Sequence, residues 1–330
     1  MTLGWGSTCE QVAAALPEGA REIAGTTVIV TGSNTGIGLE AARQFARLGA
    51  HVVMACRNAA KAEKARDEIC AKNKDTVPQS RVSIITVDLG DLASVESFVK
   101  EFSQRSEDEN WPPLRTLVLN AGLILSKAER SAQGYEKTFA TNHLGHMALT
   151  LGLLPVLREN APGRVVVLSS DSHYGPLAEK NVESVEALRN VFVQPSGDPG
   201  ASISLKKGME LYGSSKLCNL LFAKELHARE SDNGIVACSL HPGTLIATDI
   251  VRNQNGLVQF LTRYVISFFT KSVNQGTSTT MYCSLAPHDS LQGQYYDNCA
   301  PKRESKRATS TAAKVLWDLS EELLGQQSRL

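Results

Sequence analysis

The stretch TTVIVTGSNTGIG (26–38) sets the reading of this chain. Its first half, Thr26 to Thr31, is a short β-branched apolar run, the composition of a strand covered on both faces. Glycines follow at 32, 36 and 38, and a helical pattern then runs from Ile37 to Leu48. A side chain at Gly32 or Gly36 would obstruct the turn or an approaching pyrophosphate. Gly38 is expected to let the helix pack closely on the sheet. The helix amino terminus offers unpaired N–H groups and a positive dipole end to phosphates. Gly32, Ser33, Asn34, Thr35, Gly36, Ile37 and Gly38 are therefore the candidate phosphate cradle. Ordinary turns also carry glycines, so the rest of the chain must decide.

Outward from that stretch the same rhythm repeats. Apolar runs at HVVMA (51–55), VSIITVD (82–88), LRTLVLN (114–120), RVVVLS (164–169) and GIVACSL (234–240) alternate with helical segments. Those segments are Asn58 to Ala71, Leu92 to Phe102, Gly134 to Leu157 and Leu211 to Arg229. Continuous rather than alternating apolar strands point to a parallel sheet with helices on both faces. The pattern predicts an α/β, doubly wound Rossmann-type sheet of about seven strands. A single domain over 1–330 is expected, with an N-terminal extension (1–24), a long substrate-side connection (171–210) and a C-terminal helix and tail (304–330). The apolar segment Asn255 to Thr270, within 254–272, reads as a core or capping helix, a substrate lid or a membrane contact.

Composition excludes several classes. The 330 residues carry no formal net charge and no long basic run, so no nucleic-acid partner is expected. Seven scattered cysteines form no CxxC pair and no cluster with histidine, which predicts free thiols and no metal site. The amino terminus lacks the pattern of a secretory signal, and no stretch reaches the ~18–20 apolar residues of a membrane span. A cytoplasmic protein with at most peripheral membrane contact is expected.

The second strand ends in Ala55-Cys56-Arg57-Asn58. An NAD site of this kind usually has an acid there for the ribose hydroxyls. A carboxylate would repel a 2′-phosphate, whereas Arg57 would attract it, a contact worth roughly 1.5–3 kcal/mol. NADP(H) is thus the expected cofactor, with NAD(H) as the alternative. Asp88, at the end of the third strand beside Leu89, is placed to accept from an adenine amino group or to cap a helix.

The candidate chemistry lies later. Ser169 and Ser170 close the fifth strand, and Tyr212 and Lys216 share a helix face four residues apart. Asn142 sits within a helix. No GxSxG elbow is present, and His143, His146 and His173 lack ligand spacing to a carboxylate. These residues suit hydride transfer to a carbonyl. A tyrosine of pKa ~10 supplies the proton, and a lysine ammonium beside it favours the phenolate. Lowering that pKa by two to three units takes about 3–4 kcal/mol. A serine hydroxyl would hold the substrate oxygen, and Asn142 could anchor a water relaying protons to Lys216.

Taken together, TGSNTGIG (31–38), Asp88-Leu89, Asn120-Ala121-Gly122, Asn142-His143-Leu144-Gly145, Ser169-Ser170, Tyr212 to Lys216 and His241-Pro242-Gly243 resemble the short-chain dehydrogenase/reductase family over about residues 25–300. ACRN (55–58) and YGSSKLCNLLFAKELH (212–227) narrow the resemblance to the retinol-dehydrogenase group and the WW-domain-containing oxidoreductases. No WW module is expected in the short stretch before the first strand.

The resemblance implies Ser170 as the substrate-oxygen partner, Tyr212 as general acid/base, Lys216 on the nicotinamide ribose and Asn142 in a proton relay. It further implies Asn120, Ala121 and Gly122 as the cofactor floor, and Pro242 and Gly243 at the nicotinamide amide. A lipophilic carbonyl or alcohol substrate (retinoid, steroid or long-chain aldehyde or ketone) follows from it, as does a homodimer or a membrane-associated monomer. Three features depart from the family pattern: Leu119 replaces an Asn, the Ser170-to-Tyr212 spacing is long, and Thr248 is displaced by one residue. A regulatory or scaffold protein would keep the nucleotide site without needing Ser170, Tyr212 and Lys216. A methyltransferase on a similar sheet would give the Tyr212–Lys216 pair no purpose.

Overall fold

A computed structural model describes residues 2–175, 184–193, 198–243 and 271–327. Short helices α1 (Cys9–Ala15) and α2 (Pro17–Glu22) precede β1 (Thr27–Thr31). There follow α3 (Gly36–Arg47), β2 (His51–Cys56), α4 (Ala59–Lys72), β3 (Val82–Thr86), α5 (Leu92–Asp108) and β4 (Leu114–Leu119). Next come α6 (Gly145–Glu159), β5 (Gly163–Leu168), α7 (Leu205–Glu230), β6 (Ile235–His241), α8 (Val273–Leu285), β7 (Tyr295–Asp297), β8 (Ala300–Pro301) and α9 (Ser310–Gln327).

The strands form one sheet in the order β3-β2-β1-β4-β5-β6-β7-β8. The first seven are parallel, as the sequence predicts, and β8 adds an antiparallel edge through a two-residue turn at Asn298-Cys299. The order reverses between β1 and β4. Chains leave those two strands in opposite directions there, opening a crevice at their carboxyl ends.

Alternate residues of each strand feed opposite layers. Val28, Val30, Val52 and Met54 pack with Phe45 of α3 and with α8 on one face. Ile29, Val53, Leu117 and Val165 pack with Phe98 and Phe102 of α5, Leu153 and Leu157 of α6, and Phe222 of α7 on the other. Each such buried side chain contributes roughly 1.5–3 kcal/mol. A third cluster joins Phe139, Phe192, Leu217 and Leu221 to Leu316 and Leu319 of α9.

The N-terminal extension is docked. Cys9 N donates to Asn274 Oδ1 at 2.9 Å. The Glu10 carboxylate accepts from Gln44 of α3 at 2.8 Å and from Asn274 of α8 at 3.1 Å.

Several boundaries differ from expectation. The helix carrying Tyr212 begins at Leu205, not Leu211, capped by the Ser204 hydroxyl, which accepts from Lys207 N. The helix expected from Gly134 begins at Lys137, where Glu136 accepts from the N–H groups of Thr138 and Phe139. It then passes through a π-helical turn, Ala140–Leu144, before becoming α6. Asn142 lies in that turn. The segment Asn255 to Thr270 and Thr248 fall outside the described residues.

Candidate active site

The glycine loop opens directly from β1, with Gly32 and Gly36 at φ +64° and +57°, values that favour glycine. The floor opposite comes from β4. Asn120 Nδ2 donates to Thr31 O at 2.8 Å and reaches Gly32 O at 3.4 Å, stapling the loop to the floor. A Cβ on Gly38 would lie 2.4 Å from both Asn120 Nδ2 and Gly32 O. Gly38 therefore makes room for the staple, a more specific reason than the helix–sheet packing read from the sequence. The Ser33 side chain is buried against Cys56 Sγ at 3.4 Å, so only its backbone faces the loop.

At the far end of the crevice Arg57 is exposed, with its guanidinium 4.0 Å from the Asp88 carboxylate. Asp88 Oδ1 accepts from Gly90 N at 2.9 Å, holding the turn after β3, whereas the N-cap of α5 is Asp91. Leu89 is buried, and its carbonyl would lie 2.1 Å from a Cβ on Gly145. That contact explains the glycine in Asn142-His143-Leu144-Gly145.

The catalytic candidates converge beside the floor. Ser169 is turned inward, donating to the Lys216 carbonyl at 2.7 Å. Ser170 is the serine beside Tyr212, close enough to favour the phenolate, and its hydroxyl donates to Ser172 Oγ at 3.1 Å. Ser170 also accepts from Ser172 N at 3.2 Å. Lys216 Nζ lies 5.6 Å from the Tyr212 ring centre and donates to Leu168 O at 2.9 Å. A Cβ on Gly122 would sit 3.3 Å from Lys216 Nζ and 3.5 Å from Asn142 Oδ1. The missing side chain thus leaves a gap bordered by both groups. Asn142 itself accepts from Leu123 N at 2.8 Å and donates to Leu123 O and Ser215 Oγ, both at 3.0 Å. It holds the floor and α7 together through Leu123 and Ser215.

Burial pushes the Tyr212 phenol up to about 12, and Ser170 beside it only partly offsets this. Burial likewise lowers the Lys216 ammonium to about 8. The expected lowering of the phenol by Lys216 is not met in the protein alone: burial raises it, and the opposing influence comes from Ser170. The phenol stays protonated at neutral pH, the state a proton donor requires.

Supports that the sequence reading missed surround Ser170. His173 is buried, with Nδ1 2.6 Å from Ser170 O, and Ser305 N donates to its Nε2. Asp171 accepts from Tyr295 OH at 2.8 Å and from Lys302 Nζ, which also reaches Asp297. Burial alone would raise the Asp171 carboxyl, but Lys302, His241 and Tyr295 hold it below its usual range. These contacts tie the end of β5 to β7 and β8, more than 120 residues away in sequence, so no local motif announces them. Pro242 and Gly243 follow β6. Gly243 has φ +120°, and a Cβ there would lie 2.6 Å from Cδ of the buried Lys271.

Residues 26–182 match the family model described as short chain dehydrogenase. Mouse retinol dehydrogenase 12 is 37% identical over 309 residues, covering 93% of this chain and 88% of that protein. The chain belongs to the short-chain dehydrogenase family. Human WW domain-containing oxidoreductase is 38% identical over 315 residues, covering 93% of this chain and 71% of that protein. A solved structure from Mycobacterium paratuberculosis superimposes with a TM-score of 0.65 at 28% identity, covering 91% of this chain and 93% of that one. Membership makes the chain an oxidoreductase of Rossmann type. All seven cysteines are free. Among the described residues no helix is long and apolar enough to cross a membrane.

Proposed function

We propose that this protein is an NADP(H)-dependent oxidoreductase that interconverts a carbonyl and an alcohol on a lipophilic substrate. The observation that carries the reading is the placement of Tyr212 beside Ser170, with Lys216 Nζ 5.6 Å from its ring centre and bordering the gap at Gly122. The glycine cradle and that gap fit a dinucleotide. Gly32, Gly36 and the amino end of α3 would hold its pyrophosphate, Arg57 its 2′-phosphate, and Lys216 its nicotinamide ribose. When bound, the nicotinamide supplies or accepts the hydride.

The protein's own groups handle the oxygen and the proton. Ser170 and Tyr212 present two hydroxyls to one substrate oxygen, polarising a carbonyl before it is reduced. Tyr212 O–H then gives its proton to the developing alkoxide. In the reverse direction the phenolate takes that proton. Lys216 favours the phenolate by charge. Leu205 and Met209, two turns and one turn before Tyr212, are exposed apolar side chains on the same helix, which favours an apolar substrate.

The test is NADPH binding followed by fluorescence, then carbonyl-dependent loss of NADPH absorbance across long-chain aldehydes, retinoids and steroids. Tyr212→Phe should bind NADPH as the unaltered protein does and lose nearly all turnover. Binding without turnover over the whole panel would refute the proposal.

A further inference from the structure

His146 belongs to no role described so far, yet it touches both halves of the crevice. It lies one turn beyond Asn142 and is 1% exposed. Its Nδ1 is 2.9 Å from the Asn142 backbone oxygen. A carbonyl oxygen only accepts, so Nδ1 carries the ring proton. Its Nε2 is 2.9 Å from Thr31 Oγ1. In a neutral ring that nitrogen accepts, and at 2.9 Å it is a closer acceptor for the Thr31 hydroxyl than Val118 O at 3.4 Å. Thr31 Oγ1 in turn accepts from the N–H groups of Asn120 and Ala121, each at 2.9 Å. A hydroxyl has two acceptor positions, and these two N–H groups fill both.

This directional chain runs from the cofactor floor through Thr31 and His146 to Asn142. It ends on the Asn142 backbone oxygen, and the side chain of that same residue separately bonds Leu123 and Ser215, which stands beside Lys216 on α7. A second proton on the ring would press an N–H against an oxygen whose acceptor positions are already filled. Burial independently disfavours the imidazolium, bringing its pKa down to about 4.

We propose that His146, held neutral in its Nδ1–H form, is a positioning residue that sets the cofactor floor through Thr31 and the catalytic side through Asn142. The proposal rests on the oxidoreductase reading given above. The two contacts use different ring nitrogens, so they can be separated. Asn at 146 retains a donor near Nδ1 and loses the Nε2 acceptor. Gln retains an acceptor near Nε2 and loses the donor.

The experiment measures the NADPH dissociation constant and kcat for His146→Asn, His146→Gln, Thr31→Ser and Thr31→Val in the full chain. Nitrogen-15 NMR of the cofactor-free protein reads the ring tautomer. His146→Asn should weaken NADPH about tenfold and keep kcat within about threefold, the size expected for one hydrogen bond. His146→Gln should do the reverse. Thr31→Val should weaken NADPH at least about tenfold, and Thr31→Ser, which keeps the hydroxyl, should recover most of that loss. The NMR spectrum should show a protonated Nδ1 and a bare Nε2.

An Nε2–H tautomer would overturn the proposal even if every variant misfolded. Equal losses in both constants for Asn and Gln, tracking a lower Tm, would reduce His146 to a packing residue. If the unaltered protein neither binds NADPH nor reduces a carbonyl, the oxidoreductase reading fails and takes this one with it. If it does both but the variants show no split, this proposal alone fails.

Discussion

The Lys216 ammonium donates to the carbonyl oxygen of Leu168, the last residue of β5, at 2.9 Å, and Asn219 donates to the same oxygen at 3.0 Å. Helix α7 is thereby fastened to the strand that leads to Ser170. The cost is a positive charge held out of water.

That cost makes a testable asymmetry. Burial lowers Lys216 from 10.5 to about 8, so the unfolded chain binds this proton more tightly than the folded one. The ammonium therefore opposes folding by about 3 kcal/mol at neutral pH. The penalty fades as pH rises from about 8 towards 10.5. Lys216→Met should raise Tm at pH 7, flatten the gain in stability above pH 8 and cut turnover at least about 100-fold. Thermal melts from pH 7 to 10, with initial rates, check this. A lower Tm at pH 7 would show that the Leu168 hydrogen bond outweighs the desolvation.

In the proposed reading Arg57 sets cofactor choice at the opposite end of the crevice. It is exposed, and its nearest carboxylate, Asp88, is 4.0 Å away, so the guanidinium is open to an incoming phosphate. Arg57→Ala should weaken NADPH about 10–100-fold while leaving NADH within about threefold. Fluorescence titration of both cofactors measures the ratio. Equal weakening of the two would reject the 2′-phosphate assignment.

The sheet was legible because its strands are unbroken apolar runs, and the crevice because Gly32, Gly36 and Gly38 stand in one short stretch. Tyr212, Lys216 and Ser170 stood out as candidates through residue type and spacing. Other features were not. The first turns of α7 are hidden by polar Lys206 and Lys207 and by the exposure of Leu205 and Met209. The π-helical turn at Asn142 has the same residue pattern as an α-helix. The links from Thr31 to His146 and from Asp171 to Lys302 span more than 100 residues, and only the folded chain brings them together.

Gly38 gives a prediction whose sign contradicts local propensity. In a helix interior, Gly→Ala ordinarily stabilises by about 1 kcal/mol. Here the added carbon would meet Asn120 Nδ2 and Gly32 O at 2.4 Å, one of them backbone. The Asn120 staple must move, and the loop with it. Gly38→Ala should lower Tm and weaken NADPH at least about tenfold, measured by melting and titration. A stabilised variant with intact binding would mean that the loop relaxes freely.

Acid should unfold this protein earlier than its carboxylates require. Burial holds His51 and His146 down to about 4 and His143 to about 3. His143 Nε2 lies 3.0 Å from Ser320 Oγ, whose own proton goes to Leu316 O. Ser320 therefore accepts from Nε2–H, and Nδ1 is left bare and buried. All three rings stay neutral in the fold, whereas in the unfolded chain they protonate near 6.5. Above that pH they cost nothing. As pH falls through it, the unfolded state binds the extra protons, and by pH 5 each ring favours unfolding by about 2 kcal/mol. Together they would remove a large part of a typical stability of about 5–15 kcal/mol. Urea midpoints should drop steeply between pH 6.5 and 5, and His143→Gln should shrink that drop by about a third. A midpoint unchanged from pH 7 to 5 would mean that the folded state takes up these protons without strain, contrary to the burial of all three rings.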